Sequence, residues 1–387
     1  MKEVLKRVNW VQFFSMAALV AIGTTCIWSA GNAREALFHG MWKSTLRTAI
    51  AGLAVYALLA WTDYRRIFRW LSAPAYFGAI VLLVAVLLLG SEIYGGKRWL
   101  GFFQPSEISK LCVIAFIAQV FGREEAPPWL RSFRGMLLGA ALFGVPAALV
   151  LMEPDLGTAL ALAPAVLAMM LAGRVWRRGL VLVLAAGLVA VAALLGAVHE
   201  AERPGLAPER REAILRFVPL RPHQLKRVKT FLYPDTDPAG AGYTLRQAKI
   251  AIGSGGFAGK GIGKGETNHL KYLPPSISMN DFIFCVYAEE TGFVGSLVLL
   301  SLFAALCVSC AWTAWTAVDL AGRLFALGFA TLLFMHVYVN IGMSIGLVPI
   351  TGLPLPFISS GRTFLLTVMS GLGIVQSISI HKEEEET

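Results

Sequence analysis

Residues 179–198 have the sequence GLVLVLAAGLVAVAALLGAV, which contains no charged side chain and no side chain that forms hydrogen bonds. An α-helix rises about 1.5 Å per residue, so a helix of this length spans about 30 Å, the thickness of the hydrocarbon core of a bilayer. Arg177 and Arg178 precede the stretch and Glu200 follows it closely. It therefore predicts a transmembrane helix with polar ends.

The composition of the whole chain extends this prediction. Hydrophobic residues make up 56% of the 387 positions, charged residues make up 15%, and the mean hydropathy is +0.65. Soluble chains carry about 25% charged residues, so a soluble enzyme, a disordered protein and a secreted disulfide scaffold are excluded. We predict an all-α polytopic membrane protein with about ten transmembrane helices in one domain, residues 1–387. The nine further apolar blocks are residues 10–30, 47–61, 70–90, 105–121, 134–152, 155–173, 282–315, 322–346 and 361–380.

Arginine residues in the loops predict how the chain is oriented in the membrane. If the N-terminus is cytoplasmic, the inner loops carry more basic residues than the short outer loops. The arginines of the inner loops are then Arg65, Arg66, Arg69, Arg123, Arg131, Arg134, Arg174, Arg177, Arg178 and Arg323. Because cytoplasmic loops carry an excess of positive charge, we expect both termini inside. The net charge of +10 then reflects loops that face anionic lipid, and nucleic acid is not expected as a partner.

The connection between the seventh and eighth helices, residues 199–281, is predicted to be a large extracytoplasmic loop. A loop of this length is usually functional or disordered. Its second half contains a glycine run, residues 253–265, which is compatible with a flexible turn and equally with backbone amides that bind an anion. The cations of this region favour a phosphate-bearing ligand: Arg227, Arg246, Lys249, Lys260 and Lys264.

Ionisable residues at membrane depth are functional candidates, because burying a charge in a bilayer is costly. Glu107 and Lys110 are three residues apart on one helical face, where they either shape a cavity or form a structural ion pair. Asp155 begins the sixth helix beside Glu153, and a plain helix cap is its alternative. Both pairs are therefore candidates for a polar cavity, each with a structural alternative.

Asp281 lies where the long loop enters the eighth helix, and Glu289 and Glu290 follow about two turns deeper. An N-cap is the structural alternative for Asp281, but two more carboxylates at membrane depth favour a polar cavity. The last outer loop, residues 340–361, is rich in proline and glycine. This composition predicts either a re-entrant segment that caps the cavity or an ordinary surface loop.

The order of these motifs resembles the SEDS family (shape, elongation, division and sporulation) over most of the chain. Before Asp281 the sequence departs from the family pattern, since residues 276–280 replace Glu-x-His-Thr, and Glu153 stands where glutamine is usual. The forms of the motifs favour the elongation member over the division homologue. The resemblance is carried by Lys97-Arg98-Trp99, Gln104-Pro-Ser-Glu107 with Lys110, Pro154-Asp-Leu-Gly-Thr158, Ala172-Gly173, Arg227 with Phe231-Leu232 and Asp237-Pro238, Gln247 with Ile250-Ala-Ile-Gly-Ser-Gly-Gly256, Gly259-Lys-Gly261, Tyr272-Leu-Pro274, Asp281-Phe-Ile-Phe284 with Glu289-Glu290-x-Gly292, and Asn340-Ile-Gly-Met343 with Pro349-Ile-Thr-Gly-Leu-Pro-Leu-Pro-Phe357.

The resemblance implies a peptidoglycan glycosyltransferase of the bacterial cytoplasmic membrane, which polymerises lipid II on the extracytoplasmic side during cell elongation and rod-shape maintenance. We expect Asp281 to be the general base that activates the acceptor hydroxyl, with inversion at the donor carbon. The cations expected to offset charge on the diphosphate are Lys97, Arg98, Arg227, Lys249 and Lys260. The other substrate-binding candidates are Trp99, Glu107, Lys110, Asp155, Gln247, Glu289 and Glu290.

The resemblance also implies a class B penicillin-binding protein and the elongation machinery as partners. A divalent cation, Mg²⁺ or Mn²⁺, is a candidate aid at the diphosphate, although no metal-ligand spacing in the sequence requires one. Two other functions stay open: a flippase or transporter of lipid II, and a scaffold that only recruits the penicillin-binding protein. The sequence lacks the two matching broken-helix halves of an inverted-repeat transporter, and a scaffold does not need ionisable residues at membrane depth.

Overall fold

A computed structural model describes residues 6–32, 40–93, 96–101, 103–123, 125–203, 205–218, 220, 222–269, 272–274 and 277–382, without the side chains of residues 92, 93, 96, 97, 223, 268, 269 and 277. A hairpin of β1 (Ser91–Ile93) and β2 (Gly96–Trp99) lies between the third and fourth helices. In chain order the helices are α1 (Trp10–Asn32), α2 (Met41–Trp61), α3 (Tyr64–Leu89), α4 (Pro105–Phe121), α5 (Phe133–Met152), α6 (Leu156–Ala172), α7 (Arg177–Ala201), α8 (Pro208–Arg216), α9 (Pro222–Leu232), α10 (Ala241–Ser254), α11 (Glu266–His269), α12 (Ile283–Thr316), α13 (Leu320–Ile345) and α14 (Arg362–Ile380).

Helices α1 to α7 and α12 to α14 match the ten apolar blocks of the sequence. Within the described ranges, eight of them are long and apolar enough to cross a membrane on their own. The other two, α4 and α6, have 17 residues each, and α4 carries Glu107 and Lys110. The prediction of an all-α polytopic membrane protein is therefore confirmed. The number of ten crossings and the cytoplasmic location of both termini stay predictions.

Helices α13 and α14 lie at the centre of the bundle. Most of α14 is buried, where it packs along α2 and also contacts α12 and α13. Small residues permit this close approach, because Gly371 lies against the ring of Phe329 and Gly52 lies against Met369. Helix α7 instead presents an exposed apolar surface along most of its length, as expected for a helix that contacts lipid.

The antiparallel hairpin of β1 and β2 is a local element that the apolar pattern does not predict. It precedes Pro105, the first residue of α4, where a missing backbone N–H costs no helical hydrogen bond. The hairpin places Arg98 at the junction of α5 and α6, since Arg98 Nε donates a hydrogen bond to Glu153 O at 3.0 Å. A short strand pair thus brings a cation to a distant helix end.

The glycine run of the long loop packs against a break in α12. Gly292, whose φ is +68°, interrupts the helix at this point. A Cβ on Gly259 or Gly292 would overlap backbone atoms of the opposite segment, and Phe293 N donates a hydrogen bond to Gly256 O at 2.9 Å. The glycines therefore allow backbone to pack on backbone, and helix α10 beside them contacts both α12 and α13.

We refer to residues 347–361, which connect α13 to α14, as the re-entrant segment, because the burial of their central part favours that prediction over a surface loop. Leu353, Leu355 and Ile358 are at most 1% exposed. Ser359 Oγ donates a hydrogen bond to Asn280 O at 2.7 Å, which joins the segment to the turn before α12. Irregular backbone at membrane depth is tolerated where protein or water covers it.

Candidate active site

Asp281 ends a π-helical turn, Ile277–Asp281, immediately before α12. The residue keeps partial exposure. Asn340 of α13 fixes its backbone, because Asn340 Nδ2 donates hydrogen bonds to Asp281 O at 2.9 Å and to Leu353 O at 2.7 Å. Gly352, whose φ is +80°, lies beside the carboxylate, and a Cβ there would be 3.5 Å from Asp281 Oδ2. The re-entrant segment therefore forms one wall of the site.

Helix α9 forms a second wall through Arg227. Its Nη1 donates a hydrogen bond to Thr351 O at 3.0 Å, so α9 is joined to the re-entrant segment one residue before Gly352. Arg227 interacts electrostatically with Arg98, Asp281 and Asp155. Two arginines and two aspartates thus belong to one partly buried polar site.

The environment of Asp281 suits a general base. Burial raises its pKa to about 6, while Arg227 and Arg98 act to lower it and Asp155 raises it. A carboxylate with this pKa is mostly ionised at neutral pH and accepts a proton more readily than an ordinary aspartate. The N-cap position of α12 is Phe282, so the capping alternative for Asp281 does not hold.

Asp155 and Glu153 flank the turn between α5 and α6. Asp155 accepts hydrogen bonds from Thr158 N at 3.1 Å and Thr158 Oγ1 at 2.9 Å, so it does cap α6. Glu153 is fully buried, and neither carboxylate oxygen has a hydrogen-bond partner among the described residues. Burial raises the pKa of Glu153 to about 8, Asp155 raises it and Arg98 lowers it. At neutral pH Glu153 therefore holds a proton.

Glu107 and Lys110 form a second, fully buried polar cluster with a histidine of α13. Lys110 Nζ lies 2.8 Å from Glu107 Oε2 and 3.0 Å from His336 Nε2. His336 Nδ1 lies 3.3 Å from Pro354 O, so Nε2 accepts from the lysine and Nδ1–H donates to the re-entrant segment. The ion pair proposed as the structural alternative is present, and it supports the segment that carries Gly352.

Glu289 and Glu290 meet the long loop and α1. Glu289 Oε1 accepts hydrogen bonds from Lys260 Nζ and from the backbone N of Glu266, both at 2.9 Å. Glu290 accepts a hydrogen bond from the hydroxyl of Ser29 on α1. These contacts hold the glycine run in place and neutralise Lys260. A role of Lys260, Glu289 and Glu290 in substrate binding stays a prediction.

The other predicted substrate-binding residues surround these clusters. Trp99 is half-buried in β2, and the side chain of Lys97 lies outside the described residues. Gln247 is half-buried and Lys249 is exposed on α10. Lys249 lies against Gly346, the left-handed C-cap of α13, where a Cβ would be 2.6 Å from Lys249 Nζ.

Three residues of the site are absent from the candidates taken from the sequence: His336, Asn340 and Gly352. His336 and Asn340 are buried polar residues four apart on α13. Polar side chains at this spacing share one helical face, and within an apolar block they are a functional signal that the sequence contains. Gly352 belongs to the motif of residues 349–357, but its place beside Asp281 depends on the path of the re-entrant segment.

Comparisons with known proteins agree with this architecture. The FtsW, RodA and SpoVE family model, described as "Cell cycle protein", matches residues 9–384. The chain is 37% identical over 374 residues to "Peptidoglycan glycosyltransferase MrdB" of Escherichia coli (strain K12), with 95% of this chain and 92% of the relative covered.

Two solved structures share the fold. One belongs to work described as "Structural coordination of polymerization and crosslinking by a peptidoglycan synthase complex", with a TM-score of 0.73, 29% identity and coverage of 98% of this chain and 99% of that chain. The other is the Thermus thermophilus rod shape determining protein RodA, with a TM-score of 0.67, 26% identity and coverage of 98% of each chain. The chain belongs to the SEDS family, which includes FtsW, RodA and SpoVE.

Proposed function

We propose that this protein is a peptidoglycan glycosyltransferase that polymerises lipid II into glycan strands. The observation that carries the proposal is Asp281, a partly exposed carboxylate with a raised pKa that shares a polar site with Arg98 and Arg227. The peptidoglycan glycosyltransferase name of the Escherichia coli relative supports the reaction class. A base beside two cations is the arrangement that transfer of a sugar from a diphosphate requires.

In the proposed reaction, Asp281 takes the proton of the GlcNAc 4-hydroxyl of the acceptor lipid II. The acceptor oxygen attacks C1 of the donor's MurNAc, so a C–O bond forms there while the bond from C1 to the diphosphate breaks. Undecaprenyl diphosphate leaves with the electron pair, and the configuration at C1 inverts. The pKa of about 6 leaves Asp281 ionised before the attack and able to hold the proton afterwards.

Arg98 and Arg227 are the described cations best placed to offset the charge of the leaving diphosphate. Both interact electrostatically with Asp281, and a guanidinium group binds phosphate oxygens in a bidentate manner. Lys97 and Lys249 remain candidates for the same role, while Lys260 is already paired with Glu289. Trp99 and Gln247 are proposed to contact substrate.

A divalent cation at the diphosphate is also part of the proposal. In the part of the chain that the structure describes, no group of three His, Cys, Asp or Glu side chains is able to hold one. Mg²⁺ often binds one or two carboxylates together with substrate phosphates, so a protein cage is not required. Glu153 and Asp155 fit this mode, because both Glu153 oxygens lack a partner among the described residues. A cation would replace the proton of Glu153 and add positive charge at the diphosphate.

We propose that the site faces the extracytoplasmic side of the bacterial cytoplasmic membrane, with a class B penicillin-binding protein as partner. This orientation is supported by the excess of arginine in the loops that are predicted to be cytoplasmic. The structural relative described with both polymerisation and crosslinking supports an associated crosslinking activity. Similarity to a rod shape determining protein supports a role in the elongation machinery.

The proposal is tested by incubating the purified chain with lipid II, alone and with a class B penicillin-binding protein, and separating the products by size. We expect glycan strands that lengthen with time in at least one condition. If no strands form while labelled lipid II crosses vesicle membranes, the protein is a transporter. If neither activity occurs but the penicillin-binding protein binds, the scaffold function replaces the proposal.

A further inference from the structure

A cavity of about 690 Å³ lies at the far end of α12 from Asp281. The segment before α1, the second half of α12 and the end of α14 line this open cavity. The proposed sugar transfer does not use it. Its lining combines three cations, two tryptophans and an apolar strip of α12: Lys6, Arg7, Trp10, Val308, Trp312 and Lys382.

Side-chain hydrogen bonds fix the walls of this cavity. Asn9 Nδ2 donates to Ser309 O at 3.2 Å, which joins the segment before α1 to α12. Ser379 Oγ donates to Arg7 O at 2.9 Å, which joins the same segment to α14. The cavity is therefore built by three connected elements.

The cavity is cationic. Lys6 is exposed, and Lys382 is half-buried, with its ammonium donating a hydrogen bond to the neutral hydroxyl of Thr316. Burial lowers the pKa of Lys382, as expected for an ammonium that has given up water and has no counter-charge among the described residues. No carboxylate lines the cavity among the described residues. Its electrostatics therefore favour an anionic ligand.

The position of the cavity indicates which kind of anion reaches it. Trp10 begins α1 and Trp312 lies near the end of α12, and both are partly exposed. Tryptophan is enriched at the level of the lipid head groups. Val308, one helical turn before Trp312, is exposed and apolar, so an apolar surface leads away from the cations.

We propose that this cavity binds an anionic phospholipid of the membrane. Its phosphodiester contacts Lys6 and Lys382, and its acyl chains lie along α12 past Trp312 and Val308. Basic pockets between transmembrane helices bind acidic lipid head groups in this way. The site is separate from the one around Asp281, so the inference holds whatever reaction that site performs.

Native mass spectrometry of the purified full chain in detergent tests this site. The probes are phosphatidylglycerol and phosphatidylcholine with identical acyl chains. We expect tighter binding of phosphatidylglycerol, weakened about fivefold by Lys6→Gln and about 25-fold by Lys6→Gln with Lys382→Gln. The matched control, Arg69→Gln with Arg178→Gln, removes two exposed charges outside the cavity. It should bind phosphatidylglycerol as the unmodified chain does.

Four results would overturn the proposal. Equal affinity for the two lipids would show that the head-group charge is not recognised. Equal weakening in the variant and control pairs would show a diffuse charge effect. Displacement of the lipid by millimolar inorganic phosphate would assign the cavity to a free anion. Binding that occurs only after removal of residues 383–387 would identify the glutamates of the tail as the natural occupant.

Discussion

Replacing Arg227 by glutamine tests the electrostatic coupling between α9 and Asp281. Burial raises the pKa of Asp281 to about 6, and Arg227 is the larger of the two cationic influences that lower it. A nearby opposite charge lowers a carboxyl pKa by about 1 to 3 units. Because Arg227 is half-buried and Arg98 remains, we expect the pKa of Asp281 to rise by about one unit, to about 7.

The base must be ionised, so polymerisation is lost as pH falls through the pKa of Asp281. In Arg227→Gln the acid limb of the rate should therefore lie at about pH 7 instead of about pH 6. At pH near 6.5 the ionised fraction falls from about three quarters to about one quarter, an additional loss of about threefold that disappears above about pH 8. The substitution also removes the hydrogen bond from Arg227 to Thr351 O, which lowers the polymerisation rate at every pH. The diagnostic quantity is therefore the shift of the acid limb of the pH–rate profile.

The assay is the initial rate of glycan polymerisation from lipid II by the purified chain, measured from about pH 5 to about pH 9. Arg227→Lys is the matched control, since it keeps the positive charge and should keep the acid limb close to about pH 6. An acid limb at the same pH in the unmodified chain and in Arg227→Gln would refute the coupling.

Three further substitutions test other parts of the structure. Lys110→Met leaves the buried Glu107 without its cation, so thermal unfolding in detergent should show that the free energy of unfolding falls by about 3–5 kcal/mol. The double variant Glu107→Leu with Lys110→Met should recover most of this loss, because it removes both charges. Gly352→Ala strains a backbone with φ of +80° beside Asp281, so kcat should fall on the order of tenfold; an unchanged kcat would separate this glycine from the site. Glu153→Gln should raise the Mg²⁺ concentration for half-maximal polymerisation about tenfold or more, whereas an unchanged Mg²⁺ titration would place the cation elsewhere.

The membrane helices are largely predictable, because long apolar blocks in lipid must satisfy their backbone groups within a helix. The start of α3 is not predictable from the apolar pattern. The apolar block begins at residue 70, whereas the helix begins at Tyr64, since Asp63 caps it by accepting a hydrogen bond from Arg65 N. The pair of strands β1 and β2 is also missed, because strands of three and four residues have no clear periodicity.

The candidate site is predictable in its residue types but not in its groupings. Ionisable residues in apolar surroundings identify Asp281, Glu107 and Lys110 without a structure. The sequence does not reveal that Lys260 pairs with Glu289, because these residues are 29 positions apart and meet through backbone packing of the glycine run. Contacts across the fold, rather than local pattern, decide which charges share a site.

The break in α12 also depends on contacts across the fold. The helix break at Gly292 follows from backbone contacts with the long loop, and no periodicity in the apolar pattern of α12 indicates it. The hydrophobic pattern thus predicts where helices lie, while glycines and buried polar pairs determine how their ends assemble.

The central claim is that Asp281 takes the proton of the acceptor hydroxyl. The most direct test compares polymerisation and lipid II binding in Asp281→Asn and in Asp235→Asn, a control in the same long loop whose side chain is 94% exposed. We expect Asp281→Asn to bind lipid II but to lose polymerisation by on the order of 10²-fold or more, while Asp235→Asn keeps both activities. Strand synthesis by Asp281→Asn at a rate close to that of the unmodified chain would contradict the mechanism.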